Sequence, residues 1–283
     1  MDPMIEKPTA CLSVVVPAYN EETTIAGTVK KLLELPHLLE VVIVDDCSSD
    51  RTPQIAEALA ASDARVRVAR HKKNSGKTKA LQTGFAMTRG DIVIVQDADL
   101  EYDPNEILGV IKPILEGHAD VVYGSRFLVR KATRVLYFYH FLANKVLTFS
   151  SNMLTNLNMT DVETGYKAFR GEIIRNMIIK SSGFGFEIEV TAKIAKLGCA
   201  VYEVPISYYG RTYEEGKKIG VRDGLQAFWL VFRFNLFCGL PASFRQIPQI
   251  ERLRPSPVLT PQADSEDGAK DNLKLTIPND SGA

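Results

Sequence analysis

Cysteine and histidine are scarce, four of each in 283 residues, and both are scattered. Cys11, Cys47, Cys199 and Cys238 lie far apart with no CxxC spacing, which excludes a zinc knot or a disulfide framework and suits a reducing cytosol. His37, His71, His118 and His140 never pair at helical ligand spacing, so a histidine metal site is not expected. No sign of charge is in excess: 34 Lys and Arg balance 34 Asp and Glu. That argues against nucleic acid as a partner and makes any basic site local. Long apolar runs are missing too. Nothing approaches the roughly 18–20 residues that span a bilayer, and AFWLVF is cut by Arg233. The N-terminus MDPMIEKPTA lacks the basic and apolar regions of a signal peptide. The expectation is a cytoplasmic protein, soluble or peripheral on the cytoplasmic membrane face, with no transmembrane segment.

What the chain has is apolar residues, 45% of the total, in alternating patterns. LSVVVPA, EVVIVDD, RVRVAR, DIVIV and ADVVYGS read as strands. Between them EETTIAGTVKKLLEL, QIAEALAA, GKTKALQTGFAMTRG and PNEILGVIKPILEG carry helical spacing. Glu21 and Glu22 suit a helix start, Asp50 or Thr52 a cap, and Gly90 a helix end. Strands alternating with helices from about residue 12 to 124 predict an α/β fold with a mostly parallel central sheet flanked by helices. Ligands of such sheets bind outside the carboxyl ends of the strands. Further on, 134–157 reads as a long helix, YKAFR as a strand, GFEIEVTAKIAKLG as a helix, VYEVPISYYG as a strand and VRDGLQAFWLVFRFNL as a helix. Six of the 14 prolines fall in the last 43 residues, so 241–283 is expected to be a disordered tail.

The acids of VQDADLEYDP follow the DIVIV strand directly. Asp97, Asp99 and Glu101 alternate, so on an extended segment their carboxylates converge from one face. Such oxygen ligands suit Mg²⁺ or Mn²⁺ bound together with substrate phosphates. The bland alternative is a solvated turn capping the next helix, the role expected of Asp103. In PAYNE, Tyr19 at a strand end is placed to stack on a base, or the segment is only a turn. In VDDCSSD, Asp46 is suited to accept hydrogen bonds from a base N–H, with Asp45 orienting the loop. NSGKTK ends like a P-loop, but the position of its first glycine is His71, which argues against P-loop hydrolysis. Lys77 at a helix N-terminus either meets a diphosphate or is a surface lysine.

Seven segments in order, VVVPAYNE, VDDCSSD, the DAD triplet, VYGSRF, DVETGYKAFR, GFGFEIEV and EVPISYYGRTYEEGKKI, resemble a family-2 inverting glycosyltransferase with the GT-A (Rossmann-like) nucleotide-sugar fold. The resemblance covers about residues 11–235 and is to the polyprenyl-phosphate hexosyltransferase branch, which includes dolichol-phosphate mannose and glucose synthases. It implies one domain over 1–240, with a nucleotide-sugar half at 11–124 and an acceptor half at 125–240. It implies that Pro17, Tyr19, Glu21 and Asp46 hold the nucleobase and ribose, with Lys77, Asp97 and the Ala98 backbone completing the nucleotide site. Asp97, Asp99 and Glu101 would hold the Mg²⁺ or Mn²⁺. Glu101 stands where the family often has Gln, an added negative charge that either strengthens cation binding or alters metal preference. Asp99, Arg126 and Arg211 would be catalytic, the arginines facing the acceptor phosphate with Lys217 and Lys218 in support.

The reaction so implied moves a glucose- or mannose-type hexose from a UDP- or GDP-sugar to a polyprenyl phosphate. An ionised phosphate acceptor needs no strong base; an alcohol acceptor would need one, and Asp161, Glu163 and Glu187 are the candidates. Two alternatives stand beside it. One is a soluble transferase of the same fold using a glycan, small alcohol or protein acceptor. The other is a sugar-nucleotide-binding regulator without turnover. A nucleotidyltransferase is disfavoured, because PAYNEE has no Gly/Arg/Lys-rich loop. The helices near 134–157 and 221–237, the latter with Leu225, Phe228, Trp229, Phe232 and Leu236 beside Arg222 and Arg233, suit a membrane surface, a core or a homo-oligomer interface.

Overall fold

The structure, a computed structural model, describes residues 10–128, 137–183, 185–210 and 221–250. Arg211, Lys217, Lys218 and the tail from residue 251 lie outside the described residues. The first half alternates as expected: β1 (Leu12–Ala18), α1 (Ile25–Leu33), β2 (Leu38–Asp45), α2 (Thr52–Ser62), β3 (Val66–Arg70), α3 (Lys77–Met87), β4 (Ile92–Val95), a 3-10 turn (Pro104–Glu106), α4 (Ile107–Leu115) and β5 (Val121–Ser125). Then follow α5 (Phe138–Thr155), β6 (Lys167–Arg170), α6 (Gly171–Asn176), α7 (Phe186–Leu197), β7 (Val201–Pro205) and α8 (Val221–Leu236).

The strands form one sheet in the order β3-β2-β1-β4-β6-β5-β7. All pairs are parallel except those of β6, which runs antiparallel to both β4 and β5. β-branched runs fit a sheet covered on both faces, where side chains alternate between layers. Val14, Val16, Ile92 and Ile94 pack on one side with Ile25, Val29, Ala56 and Ile107 from α1, α2 and α4. Val15, Val93 and Val95 pack on the other with Leu81, Phe85, Ile173 and Phe186 from α3, α6 and α7. A third cluster joins α5, α7 and α8 through Leu147, Ile188, Ala192, Leu230 and Phe234. Chain order reverses at β1, which has β2 on one side and β4 on the other. The crevice at such a switch point is where doubly wound sheets bind ligands.

Several local expectations are corrected. α1 begins at Ile25, and Glu21 and Glu22 precede it because their carboxylates are engaged elsewhere: Glu21 accepts from the Thr24 hydroxyl, and Glu22 from the Arg51 N–H. Gly90 does not close α3; Thr88 does, in extended conformation, with its hydroxyl donating to the Phe85 carbonyl at 2.8 Å. The 134–157 helix is α5, within 138–155. The fold also continues past residue 240, since Phe244 is buried and pairs with Met177. Among the described side chains of α8 the buried ones are Ala227, Leu230, Val231 and Phe234, whereas Trp229 and Leu236 of the expected stripe are both 59% exposed. No described helix is long and apolar enough to cross a membrane.

Candidate active site

The turns after β1 and β2 are locked together. Asn20 donates its N–H to Ser48 Oγ at 2.9 Å and accepts the Ser49 N–H at 2.9 Å, while Glu21 donates its N–H to Thr52 Oγ1 at 2.9 Å. Asp50 accepts the Thr52 N–H at 2.9 Å, which caps α2. Asn20 and Cys47 sit at φ 56 and 63, the left-handed region that side chains avoid unless the surroundings hold them. This framework places Tyr19, 38% exposed, at the rim of a cavity of about 470 Å³ along the carboxyl ends of the strands. Every expected site residue among the described ones lines that cavity: Pro17, Tyr19, Glu21, Asp46, Lys77, Asp97, Ala98, Asp99, Glu101 and Arg126.

Asp46 is committed to the protein. Its carboxylate accepts from His71 Nδ1 (2.6 Å), from the Ser75 N–H on both oxygens (3.0 Å) and from the Gly76 N–H (2.6 Å). A carboxylate offers about four acceptor positions, and these contacts fill them. Gly76, at φ +86, makes the turn that brings its amide to Asp46 and starts α3. Lys77 then points inward rather than to the surface. Its Nζ lies 2.8 Å from Asp97 Oδ2 and 3.8 Å from Glu187 Oε1. Burial works against its charge, but Asp97 and Glu187 outweigh it and hold the ammonium well above the ordinary lysine range.

The acids after β4 are not on an extended segment. The strand ends at Val95, residues 98–101 turn, and Leu100 sits at φ 62. Period-two alternation is therefore lost. Among the described residues no three His, Cys, Asp or Glu side chains stand as a ready metal cage. Asp97 is paired with Lys77, Asp99 Oδ1 accepts the Glu101 N–H (3.2 Å), and Glu101 Oε2 accepts from Tyr208 OH (3.1 Å). All three still line one cavity. Their all-oxygen donor set fits a hard cation of the Mg²⁺ or Mn²⁺ kind, which takes one or two carboxylates and completes its shell with phosphate oxygens and water. Asp103 is the cap expected of it, accepting the Asn105 N–H at 3.1 Å.

Arg126, after β5, is clamped. Asp161 Oδ2 accepts from its Nε at 2.6 Å and Oδ1 from its Nη2 at 2.7 Å, and its guanidinium stacks 5.0 Å from the Tyr208 ring centre. Burial opposes the charge of both groups, but each outweighs it in the other: Asp161 stays below the usual carboxylate range and Arg126 above its own. Tyr102, stacked on Tyr166 at 4.8 Å, donates no chemistry that sequence pattern signals; its hydroxyl accepts the Gly165 N–H at 2.9 Å. Gly165 is a close-approach position, because a Cβ there would stand 2.9 Å from Asp97 Oδ2. Glu163 and Glu187 line the same end of the cavity. Burial, then Glu187, raises the Glu163 pKa, while burial lowers that of the neighbouring Lys167. Lys167 Nζ donates to the Val162 and Thr164 carbonyls. Sequence reading assigned no role to Tyr208, Tyr102 or Gly165, since only their long-range contacts bring them here.

A sheet of this order, with an acid-lined crevice at its switch point, places a ligand site at the carboxyl ends of its strands. The family model described as Glycosyl transferase family 2 matches residues 13–178, more than half of the chain. The chain belongs to that family. It is 29% identical over 247 residues to an undecaprenyl-phosphate mannosyltransferase of Micrococcus luteus, covering 78% of this chain and 97% of that one. It is 29% identical over 226 residues to a polyprenol monophosphomannose synthase of Mycolicibacterium smegmatis, covering 77% and 85%. Among solved structures it resembles glucosyl-3-phosphoglycerate synthase from Mycobacterium tuberculosis in complex with UDP, with TM-score 0.61, 21% identity and 80% of each chain covered. The same enzyme with Mn²⁺, UDP and glucosyl-3-phosphoglycerate gives TM-score 0.60 at 22% identity, again over 80% of each chain. At those identities the likeness carries the fold, and the expected GT-A fold is met.

Proposed function

We propose that this chain transfers a hexose from a UDP- or GDP-sugar to a polyprenyl phosphate, with inversion at the anomeric carbon. The observation that carries the reading is the run of chemistry along one cavity: an aromatic rim at Tyr19, an acid and lysine wall at Asp97, Asp99, Glu101 and Lys77, and the clamped Arg126 beyond it. The relatives named for polyprenyl-type mannosyl transfer support the acceptor class.

In this reading Tyr19 stacks on the base and Pro17, Glu21 and the Ala98 backbone frame the nucleoside. Asp46, with its acceptor positions filled by the protein, holds the 71–76 loop that shapes this end. Asp97, Asp99 and Glu101 would hold the divalent cation, which would supply positive charge beside the departing diphosphate. Lys77 gives a second positive charge beside Asp97. An acceptor phosphate is already ionised near neutrality, so Arg126 has only to bind and aim it. Asp161 fixes the guanidinium and Tyr208 covers its face; Arg211, also expected to serve the acceptor phosphate, lies outside the described residues. The phosphate oxygen forms the new bond to the anomeric carbon as the bond to the diphosphate breaks on the opposite face. The nucleoside diphosphate leaves with the electron pair.

A lipid acceptor brings the protein to a membrane surface. On α5, Phe138, Leu142, Val146, Phe149 and Met153 form an outward stripe at helical spacing, with Phe138 66% and Phe149 65% exposed. Aromatic and apolar stripes of this kind lie in the headgroup region. The test is release of UDP and GDP from a panel of sugar nucleotides with Mn²⁺ or Mg²⁺, with and without polyprenyl phosphate. One donor should show release stimulated by the lipid. Release indifferent to it would move the acceptor to a soluble molecule. Replacing Phe138 and Phe149 by Ser should lower transfer to a long-chain acceptor in vesicles about tenfold, from the apolar area withdrawn. It should spare a short soluble acceptor. Equal rates on both would remove the membrane role of α5.

A further inference from the structure

Among the described residues, Glu163 Oε1 is a buried side-chain oxygen without a hydrogen-bond partner, and its residue lines the active-site cavity. Buried acceptors are rarely left so, and one on a residue that lines a cavity has a ligand donor as its available partner once the side chain turns to meet it. The position of Glu163 says which part of a ligand that is. Two residues before it, Asp161 clamps Arg126. Two residues after it, Gly165 is pressed against Asp97, where an added Cβ would come within 2.9 Å of Oδ2. Glu163 therefore stands between the arginine assigned to the acceptor phosphate and the aspartate assigned to the donor diphosphate. The transferred sugar has to occupy that interval, because the reaction joins its anomeric carbon to one side as it parts from the other. Lys167 does not neutralise the site by a direct contact, since its Nζ hydrogen bonds run to the Val162 and Thr164 carbonyls. Glu187 shares this end of the cavity and is turned toward Lys77 at 3.8 Å.

We infer that Glu163 is a specificity-determining residue whose carboxyl accepts a hydrogen bond from a hydroxyl of the transferred hexose, so that it selects among hexoses differing at that hydroxyl. The inference rests on the glycosyl-transfer reading above and adds the sugar-reading group to it. In either protonation state the carboxyl accepts from a sugar hydroxyl, and a site built around such a bond rejects a donor that lacks it.

The experiment compares wild type, Glu163→Ala and Glu163→Gln on two readouts. The first is the kcat/KM ratio between the best donor and UDP- or GDP-hexoses that are epimeric or deoxy at single positions. The second is the Kd of free UDP or GDP with Mn²⁺. Glu163→Ala should lower the ratio at one hydroxyl by about tenfold or more, the scale of one buried hydrogen bond. Glu163→Gln, which keeps an acceptor, should hold the ratio within about threefold, and the Kd of the free nucleotide should stay within about threefold in both. An unchanged ratio in Glu163→Ala overturns the inference, as does a loss of free-nucleotide affinity that matches the loss of donor efficiency. If Glu163→Ala does not fold, wild type and Glu163→Gln on the deoxy donors decide: no hydroxyl whose removal matters to wild type overturns it. If wild type transfers nothing from any donor, the transfer reading fails. The difference in Kd between sugar nucleotide and free nucleotide still reports on Glu163.

Discussion

Asp99→Ala lowers turnover by about 10³ or more, the scale on which charge stabilisation in a transition state acts, and with it removes the dependence of nucleotide binding on Mn²⁺ or Mg²⁺. The carboxylates after β4 divide their work. Asp97 is already paired with Lys77 at 2.8 Å, so its removal would also release a half-buried ammonium and confuse the result. Glu101 is tied to Tyr208. Asp99 lines the cavity on the turn that Leu100 makes at φ 62, where its Oδ1 accepts the Glu101 N–H, and its loss tests the cation assignment. The measurement is a titration of UDP or GDP affinity against Mn²⁺ alongside turnover. Wild-type activity in Asp99→Ala, or an unchanged cation dependence of binding, would contradict the assignment.

Arg126→Ala has two effects of separate origin. The acceptor loses its clamped guanidinium, so KM for the polyprenyl phosphate should rise by about 10²-fold, the weight of a bidentate charge-assisted contact. Asp161, fully buried, loses the partner that its two oxygens meet at 2.6 and 2.7 Å. Breaking a buried pair from one side costs about 3–5 kcal/mol of stability. The acid limb moves as well. Burial alone raises the Asp161 pKa, and Arg126 is what holds it below the usual range. Its contribution is present above the unfolded Asp pKa of about 3.9 and is lost as pH falls through the lower folded value. Without Arg126 that contribution goes, and the midpoint of acid unfolding should shift upward. Arg126→Lys keeps the charge but not the fork, and should fall between. Binding of UDP or GDP should stay within about threefold of wild type, because the nucleotide end is built from other turns. An unchanged acceptor KM, or equal loss of nucleotide binding, would mean that Arg126 serves something other than the acceptor.

The first half of the chain was legible because its signals are local. Runs such as LSVVVPA and DIVIV bury both faces, and a chain that alternates them with helices has few ways to fold. The convergence of Tyr19, Asp46, Lys77 and Asp97 followed from topology alone, since each ends or follows a strand. What sequence could not show lies in contacts between distant segments. The alternation of Asp97, Asp99 and Glu101 suggested one face, but the strand stops at Val95 and the turn redirects each side chain. Asp46 looked like a base reader until the 71–76 loop filled its oxygens. Lys77, with surface and diphosphate-binding readings both open, is drawn inward by Asp97 and Glu187, residues 20 and 110 positions away. Tyr208 and Gly165 lie inside the segments EVPISYYGRTYEEGKKI and DVETGYKAFR, but no role was assigned to either; a stacked ring and a missing Cβ have meaning only against their neighbours.

The central claim is that the sugar ends on a lipid phosphate. The most direct measurement follows a labelled hexose from its nucleotide donor into the organic phase of an extracted reaction containing polyprenyl phosphate and Mn²⁺, with the anomeric configuration of the product read by NMR. Label is expected in the lipid fraction, joined through phosphate, with configuration opposite to that of the donor. Label confined to the aqueous phase while the nucleotide is released would contradict the acceptor, and a retained configuration would contradict the single displacement.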